Sequence, residues 1–370
     1  MTQKAGKIEK DTEFSNVRNI AGGESSSALI FAGEILVKKT LIAVGALVMS
    51  LGMVAQAQTL TGAGATFPYP IYSKWFSEYS AAHPGVQINY QSIGSGGGIK
   101  QFCSGLVDFG ASDMPMTDEM VNSCKVKLIH LPTVLGAVVP VFNVPGVNDL
   151  RFSGELLADI YLGKITNWND ARIAKDNPGV KLPDQKIIVV HRSDGSGTSF
   201  IFTDYLSKVS KEWAAGPSKG TSPSWPIGVG GKGNEGVAGL VRQLPGAIGY
   251  VELIYALQNN ISSGAMKNAA GNWVKASIPG VTEAAAGLKF KGTDFRVSIT
   301  NAAGAQAYPI SSFTYLLIPV EPGDATKRKV LKDMLSWIVK SGEGEVSVLS
   351  YAPLPTDLAQ KELATIYSLK

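Results

Sequence analysis

The sequence predicts an α/β fold with a ligand crevice at the carboxyl ends of its strands, and two observations carry that prediction. Short apolar, β-branched stretches alternate with amphipathic ones along residues 58–370, the pattern of strands covered by helices. Three strand ends also run into a Gly/Ser/Thr turn that opens a helix: Gly64-Ala65-Thr66-Phe67, Gly94-Ser95-Gly96-Gly97 and Asp194-Gly195-Ser196-Gly197-Thr198. Each such turn offers backbone N–H groups where the helix dipole favours negative charge. Three in one chain point to a shared anion site in the crevice.

Taken in order, the chain opens on a leader. Val37-Lys38-Lys39 is a short basic start, Thr40 to Val54 a 15-residue run of apolar and small residues, and Ala55-Gln56-Ala57 has the small-x-small form of a cleavage site. The run falls short of the ~20 residues of a membrane-spanning helix, so a signal peptide over 37–57, cut after Ala57, is expected. Residues 1–36, mixed in charge and polar, are an odd prelude to such a segment, and translation is expected to begin at Val37. Tyr72, Trp75, Phe76 and Tyr79 form one face of a helix after Pro68 and belong to the core. Val86–Tyr90 is a strand, Gly94–Gly98 a glycine loop leading into a short helix to Ser104, and Val107–Ala111 a second strand. The β-branched Ile187–Val190 runs into the DGSGT turn, and Phe200, Phe202, Tyr205, Leu206 and Val209 have helical spacing beyond it. Residues 214–236, rich in Gly, Pro and Ser, read as a long loop; Ala247–Val251 is a strand and Asp324–Val348 a long helix.

The 370 residues include 34 Lys and Arg against 30 Asp and Glu, a formal charge of +4. The one basic run, Lys327-Arg328-Lys329, reads as a solvated helix face, and nucleic acid is not an expected partner. The only cysteines, Cys103 and Cys124, suit a disulfide in an exported protein, with two buried thiols as the alternative. With His83, His130 and His191 they make no metal-ligand spacing, and neither metal nor cofactor is expected.

Several motifs carry little. Gly228-x-Gly230-x-x-Gly233 and Gly231-x-Gly233-x-x-Gly236 match a dinucleotide fingerprint but follow no apolar strand. Gly216-Pro217-Ser218-Lys219-Gly220 matches a hydrolase elbow but has loop on both sides. The stretch HRSDGSGTSF (191–200) leaves two readings: a serine nucleophile at Ser196, or a cup that holds an anion without reacting. A triad drawn from residues two and five positions apart on one segment rarely converges. A strand also points His191 and Arg192 to opposite faces, which disfavours the first reading.

Seven motifs stand in order and spacing across nearly the whole of residues 58–370: TGAGATFPYPIY, IGSGGGIKQF, VDFGASDMPM, ADIYLGKITNW, RSDGSGTSFIFTDYL, WPIGVGGKGN and LPGAIGYVE. Together they resemble the phosphate-binding proteins of high-affinity phosphate ABC transporters, the PstS family. The resemblance implies a type II periplasmic binding protein, two α/β lobes joined by hinge strands with the ligand in the cleft. The hinges would cross near Val141–Asn143 and Ser311–Phe313, giving one lobe from 58–141 and 314–370 and the other from 142–313. It implies phosphate contacts from Thr66, Phe67, Ser95, Asp113, Arg192, Ser196, Gly197 and Thr198, with Asp194 holding Arg192 and within reach of the ligand. It also implies a periplasmic monomer, not an enzyme, that delivers inorganic phosphate to an inner-membrane permease with ATPase subunits. His191 stands where the family often has arginine and is expected to face away from the ligand; the cysteine pair is not a general family feature.

The residue types suit the chemistry. Neutral donors with one guanidinium can saturate a buried oxyanion from all sides. Asp113, an acceptor aimed at an anion, fits hydrogen phosphate, which has a proton to give, and penalises sulfate, which has none; a plain helix N-cap is its alternative role. The remaining readings are a receptor for another oxyanion such as sulfate or molybdate, and an exported phosphatase or hydrolase that shares the cup.

Overall fold

The computed structural model describes residues 58–369 apart from 291 and 322; the expected leader, 1–57, lies outside the described residues. Strand β1 (Gln58–Gly64) leads through Pro68 into helix α1 (Tyr69–Ala82), whose buried face holds Ile71, Tyr72, Trp75, Phe76 and Tyr79. Strand β2 (Val86–Ser92) follows, then helix α2 (Ser95–Cys103) and strand β3 (Phe109–Ser112). The glycines expected to form a loop at 94–98 are instead the first turn of α2. Four of these five residues are glycine, which disfavours a helix by propensity, but packing needs them: a Cβ on Gly98 would lie 2.4 Å from the Cα of Gly64, so α2 can rest on β1 only without one. Cys103 closes α2 and is bridged to Cys124, at the end of the short helix Asp118–Ser123.

Strand β4 (Leu128–Asn143) is 16 residues long and mainly apolar, with His130, Thr133 and Asn143 among its residues. Its apolar residues do not alternate, and Pro132, Gly136 and Pro140 within it do not mark where it changes neighbours. Beyond it come strand β5 (Ile188–Arg192), helix α3 (Gly197–Val209), strand β6 (Val229–Gly231), helix α4 (Gly233–Gln243), strand β7 (Ala247–Glu252), helix α5 (Leu253–Gln258) and strand β8 (Ser311–Pro319). The expected loop over 214–236 thus contains β6 and the start of α4, which a three-residue Val-Gly-Gly strand does not announce. Helix α6 (Ala325–Lys340), capped by the Asp324 carboxylate, ends eight residues before its expected limit. A 3-10 segment, Gly342–Leu349, takes over at a pair of glycines, and Trp75 Nε1 donates to the Gly342 carbonyl.

One nine-stranded sheet runs β2-β1-β3-β8-β4-β7-β5-β6, with Ser262–Ser263 also paired to β4. Pairs β1/β2, β1/β3, β5/β7 and β5/β6 are parallel, and the central β8/β3, β8/β4 and β4/β7 pairs are antiparallel. The first ten residues of β4, Leu128–Ala137, pair with β8, and the last six, Val138–Asn143, pair with β7. The strand therefore changes partner between Ala137 and Val138, four residues before the expected crossing. A register shift at Thr314/Tyr315 leaves Thr133 as the extra residue on β4. No helix among the described residues is long and apolar enough to cross a membrane.

Candidate anion-binding site

Three strand-to-helix turns meet in the crevice. Thr66 and Phe67 lie in the β1–α1 turn, Ser95 opens α2, and Asp113 follows β3. Arg192 ends β5, Asp194 lies in the turn, Ser196 is the N-cap of α3, and Gly197 and Thr198 are its first two residues. Thr66, Phe67, Ser95, Asp113, Arg192, Ser196 and Thr198 are all buried. The turns touch one another: the Gly96 amide donates to the Gly195 carbonyl at 2.8 Å. A Cβ on Gly197 would stand 2.3 Å from Ser95 Oγ and 2.5 Å from Asp113 Oδ2.

The donors are fixed from behind. The Tyr255 hydroxyl donates to the Thr66 carbonyl and the Tyr351 hydroxyl to the Phe67 carbonyl, each at 2.6 Å, which orients the peptide units between them. Ser196 Oγ accepts the Ser199 amide at 2.9 Å, the side-chain cap of α3. The amides of Gly197 and Thr198, first-turn groups without intrahelical acceptors, are left facing the crevice. The Arg192 guanidinium donates through Nε and Nη2 to both carboxylate oxygens of Asp194, at 2.8 and 2.6 Å, and through Nη1 to Thr198 Oγ1 at 3.3 Å. Protons on both terminal nitrogens remain for another acceptor. Burial alone would raise the Asp194 carboxyl, but Arg192 and the Gly233 amide hold it below the ordinary range.

Asp113 is the one acceptor aimed at the same space. Its Oδ1 accepts the Thr314 hydroxyl at 2.8 Å, and its own amide donates to Ser95 Oγ at 3.1 Å. Its Oδ2 is buried with no hydrogen-bond partner among the described residues. Burial pushes this carboxyl up to about 7, against the opposing pull of Thr314, Arg192 and Ser95. The set can therefore surround an oxyanion with amides, hydroxyls and one guanidinium, and can accept one proton from it.

The nine residues expected at the site converge, and His191 turns away: its ring stacks on Trp225 at 4.9 Å and its Nδ1 contacts the Arg192 carbonyl. Ser196 has no histidine beside it, and its hydroxyl serves the helix cap. Sequence reasoning missed the supporting shell of Thr314, Tyr255, Tyr351 and Asn234. Asn234 ends the motif WPIGVGGKGN, so its place was marked although its role was not. Thr314 lies 201 residues from Asp113, with no local pattern to link them.

Residues 54–342 match the family model of the PBP superfamily domain. The phosphate-binding protein PstS of Xylella fastidiosa is 50% identical over 305 residues, 82% of this chain and 83% of the relative. This chain belongs to the PstS family. PstS of Methanocaldococcus jannaschii is 40% identical over 338 residues, 83% of this chain and 85% of that one. Among solved structures, a high affinity periplasmic phosphate-binding protein bound with phosphate superposes with a TM-score of 0.69 at 22% identity, over 83% of this chain and 93% of that one. The phosphate-binding protein of Stenotrophomonas maltophilia gives 0.66 at 21%, over 83% and 93%. At those identities the likeness is one of fold, the two-lobe α/β architecture of the type II binding proteins.

Proposed function

We propose that this chain is an exported receptor that captures inorganic phosphate and passes it to an ABC importer. One lobe would comprise 58–137 with 311–369 and the other 138–310, divided where β4 leaves β8 for β7. Phosphate would bridge them, held by Thr66, Phe67, Ser95 and Asp113 from the first lobe and by Arg192, Ser196, Gly197 and Thr198 from the second. Asp194 anchors the guanidinium. The observation that carries this reading is Asp113 Oδ2, a buried acceptor without a partner in a ring of donors. Hydrogen phosphate alone among the common tetrahedral dianions at neutral pH brings a proton to it. Membership of the PstS family supports the same ligand.

Delivery would be to an inner-membrane permease with its ATPase subunits, from the periplasm, by a monomer that performs no chemistry. Ser196 Oγ accepts the Ser199 amide as the cap of α3, which supports a binding rather than a catalytic role. Calorimetry with phosphate, with sulfate or molybdate as competitor, tests the reading alongside turnover of a chromogenic phosphate ester. Phosphate should bind one to one, excess sulfate should displace it poorly, and the ester should not turn over. Equal affinity for sulfate or molybdate would make the chain a different oxyanion receptor, and turnover would make it a hydrolase.

A further inference from the structure

Asn234 sits at the second position of α4, fully buried, and touches elements from both ends of the sheet. Its Oδ1 accepts the backbone amide of Glu252 at 2.9 Å. An amide N–H can only donate, so this bond settles which end of the carboxamide is which. The Nδ2 group then has two protons, and both are used: one goes to Thr66 Oγ1 at 2.8 Å, the other to Thr198 Oγ1 at 3.0 Å. Thr66 Oγ1 also receives the Asn234 backbone amide at 3.3 Å, and Thr198 Oγ1 also receives Arg192 Nη1 at 3.3 Å.

A hydroxyl has two acceptor lone pairs and one proton. On both threonines the two lone pairs face protein donors, so neither can accept anything more. Each must then place its single proton elsewhere, and the remaining direction is the crevice. We infer that Asn234 is a positioning residue of the anion site, one that never touches the ligand but locks the Thr66 and Thr198 hydroxyls as donors into the cup. The inference rests on the reading of the crevice as a phosphate site. It makes Glu252 part of the same device: its amide orients Asn234, and it stands opposite Val138, the residue at which β4 changes partner. One carboxamide thereby ties the first turn of each half of the site to the hinge strand pair.

The same bonds make Asn234 separable from a residue that merely packs. Asn234→Ala removes both donors; Asn234→Asp keeps an oxygen for the Glu252 amide but turns an acceptor toward the two hydroxyls and draws their protons away from the ligand. Each is combined with Thr66→Val in a double-mutant cycle and titrated with phosphate by calorimetry, with thermal unfolding of the ligand-free proteins recorded in parallel. Phosphate affinity is expected to fall about 30-fold in Asn234→Ala and about 100-fold in Asn234→Asp, each roughly 2–3 kcal/mol. In the Thr66→Val background, where only the Thr198 hydroxyl still needs orienting, the loss for Asn234→Ala should shrink to about half on the logarithmic scale. Affinity within threefold of the wild type, or an equal fold loss in both backgrounds, overturns the inference. If Asn234→Ala does not unfold cooperatively, Asn234→Asp carries the cycle; if neither does, the residue's task is to hold β7 and the inference falls. Wild-type protein that binds no phosphate in the same titration would instead remove the phosphate reading itself.

Discussion

Asp113→Asn tests why a carboxylate should face an anion. Thr314 fixes Oδ1, so Oδ2 cannot rotate out of the crevice, and burial keeps water from screening it. In the proposed site, bound hydrogen phosphate would donate its proton to Oδ2, and bound sulfate would face the same oxygen with no proton between them. An unmatched buried charge costs about 2–5 kcal/mol, but sulfate escapes it by binding the neutral acid, so with the carboxyl near 7 the discrimination at pH 8 is about tenfold and grows as the pH rises. In Asp113→Asn the carboxamide keeps an oxygen for the Thr314 hydroxyl and turns its NH2 toward the ligand. Both anions then meet a donor, and the discrimination should fall by most of that factor, chiefly because sulfate binds better. Competitive calorimetry at pH 8 reads the ratio directly, since Asp113, with its carboxyl near 7, is then mostly ionised in the free protein. A thermal unfolding curve of the variant checks that the fold survives. An unchanged phosphate-to-sulfate ratio in the folded variant would refute the reasoning.

Other outcomes follow from the same geometry. Sulfate can use only the neutral form of Asp113, so in the wild type its affinity should be flat below about pH 7 and drop about tenfold per unit above it, while phosphate competition measured over pH 5–9 stays comparatively level; a sulfate curve without that break would count against a proton on Asp113. Gly197→Ala places a methyl 2.3 Å from Ser95 Oγ and 2.5 Å from Asp113 Oδ2. It should cost about ten- to a hundredfold in phosphate affinity, the scale of an overpacked contact, while the unliganded melting temperature holds, as alanine suits a helix better than glycine. Replacing both Cys103 and Cys124 by serine opens a loop between residues 21 apart, and urea denaturation should show a loss of about 3 kcal/mol with phosphate affinity within twofold, because the bridge lies at the far end of α2 from Ser95.

The site was legible where chemistry is written locally. A Gly/Ser/Thr turn between strand and helix carries its own sequence signature, and all three expected turns converge. Their relative placement was not legible, because it depends on pairings such as Thr314 with Asp113 or Tyr351 with Phe67, between segments remote in sequence. The same limit explains β4. A mainly apolar strand of 16 residues satisfies two sheet halves equally well, and only the partners, β8 for Leu128–Ala137 and β7 for Val138–Asn143, say where one half ends. Glycine misled in the opposite direction. At Gly94–Gly98 it reads as loop by propensity, yet the helix forms because close packing on β1 rewards the missing side chain more than the backbone entropy costs.

If the two proposed lobes move, closure around the ligand would be set by a small number of polar bonds against the anion's own contacts. The contacts beside the turns are polar: the Gly96 amide on the Gly195 carbonyl, Asn234 on Thr66 and the Tyr255 hydroxyl on the Thr66 carbonyl, with Arg296 on Asp118 and the Met116 carbonyl and the Tyr315 hydroxyl on the Val297 carbonyl also joining the two. Each is worth about 1 kcal/mol net, against the freedom lost by fixing two bodies that the β4 and β8 strands allow to pivot. Without an anion, closure also brings Asp113 against Gly197 with its Oδ2 unmatched, a penalty comparable in size to those bonds. A protonated oxyanion reverses the balance, since it supplies the missing proton on one side and an acceptor for Arg192 and the first turn of α3 on the other. Asp113, the residue proposed to choose the ligand, would therefore also be the residue that opposes closing on nothing.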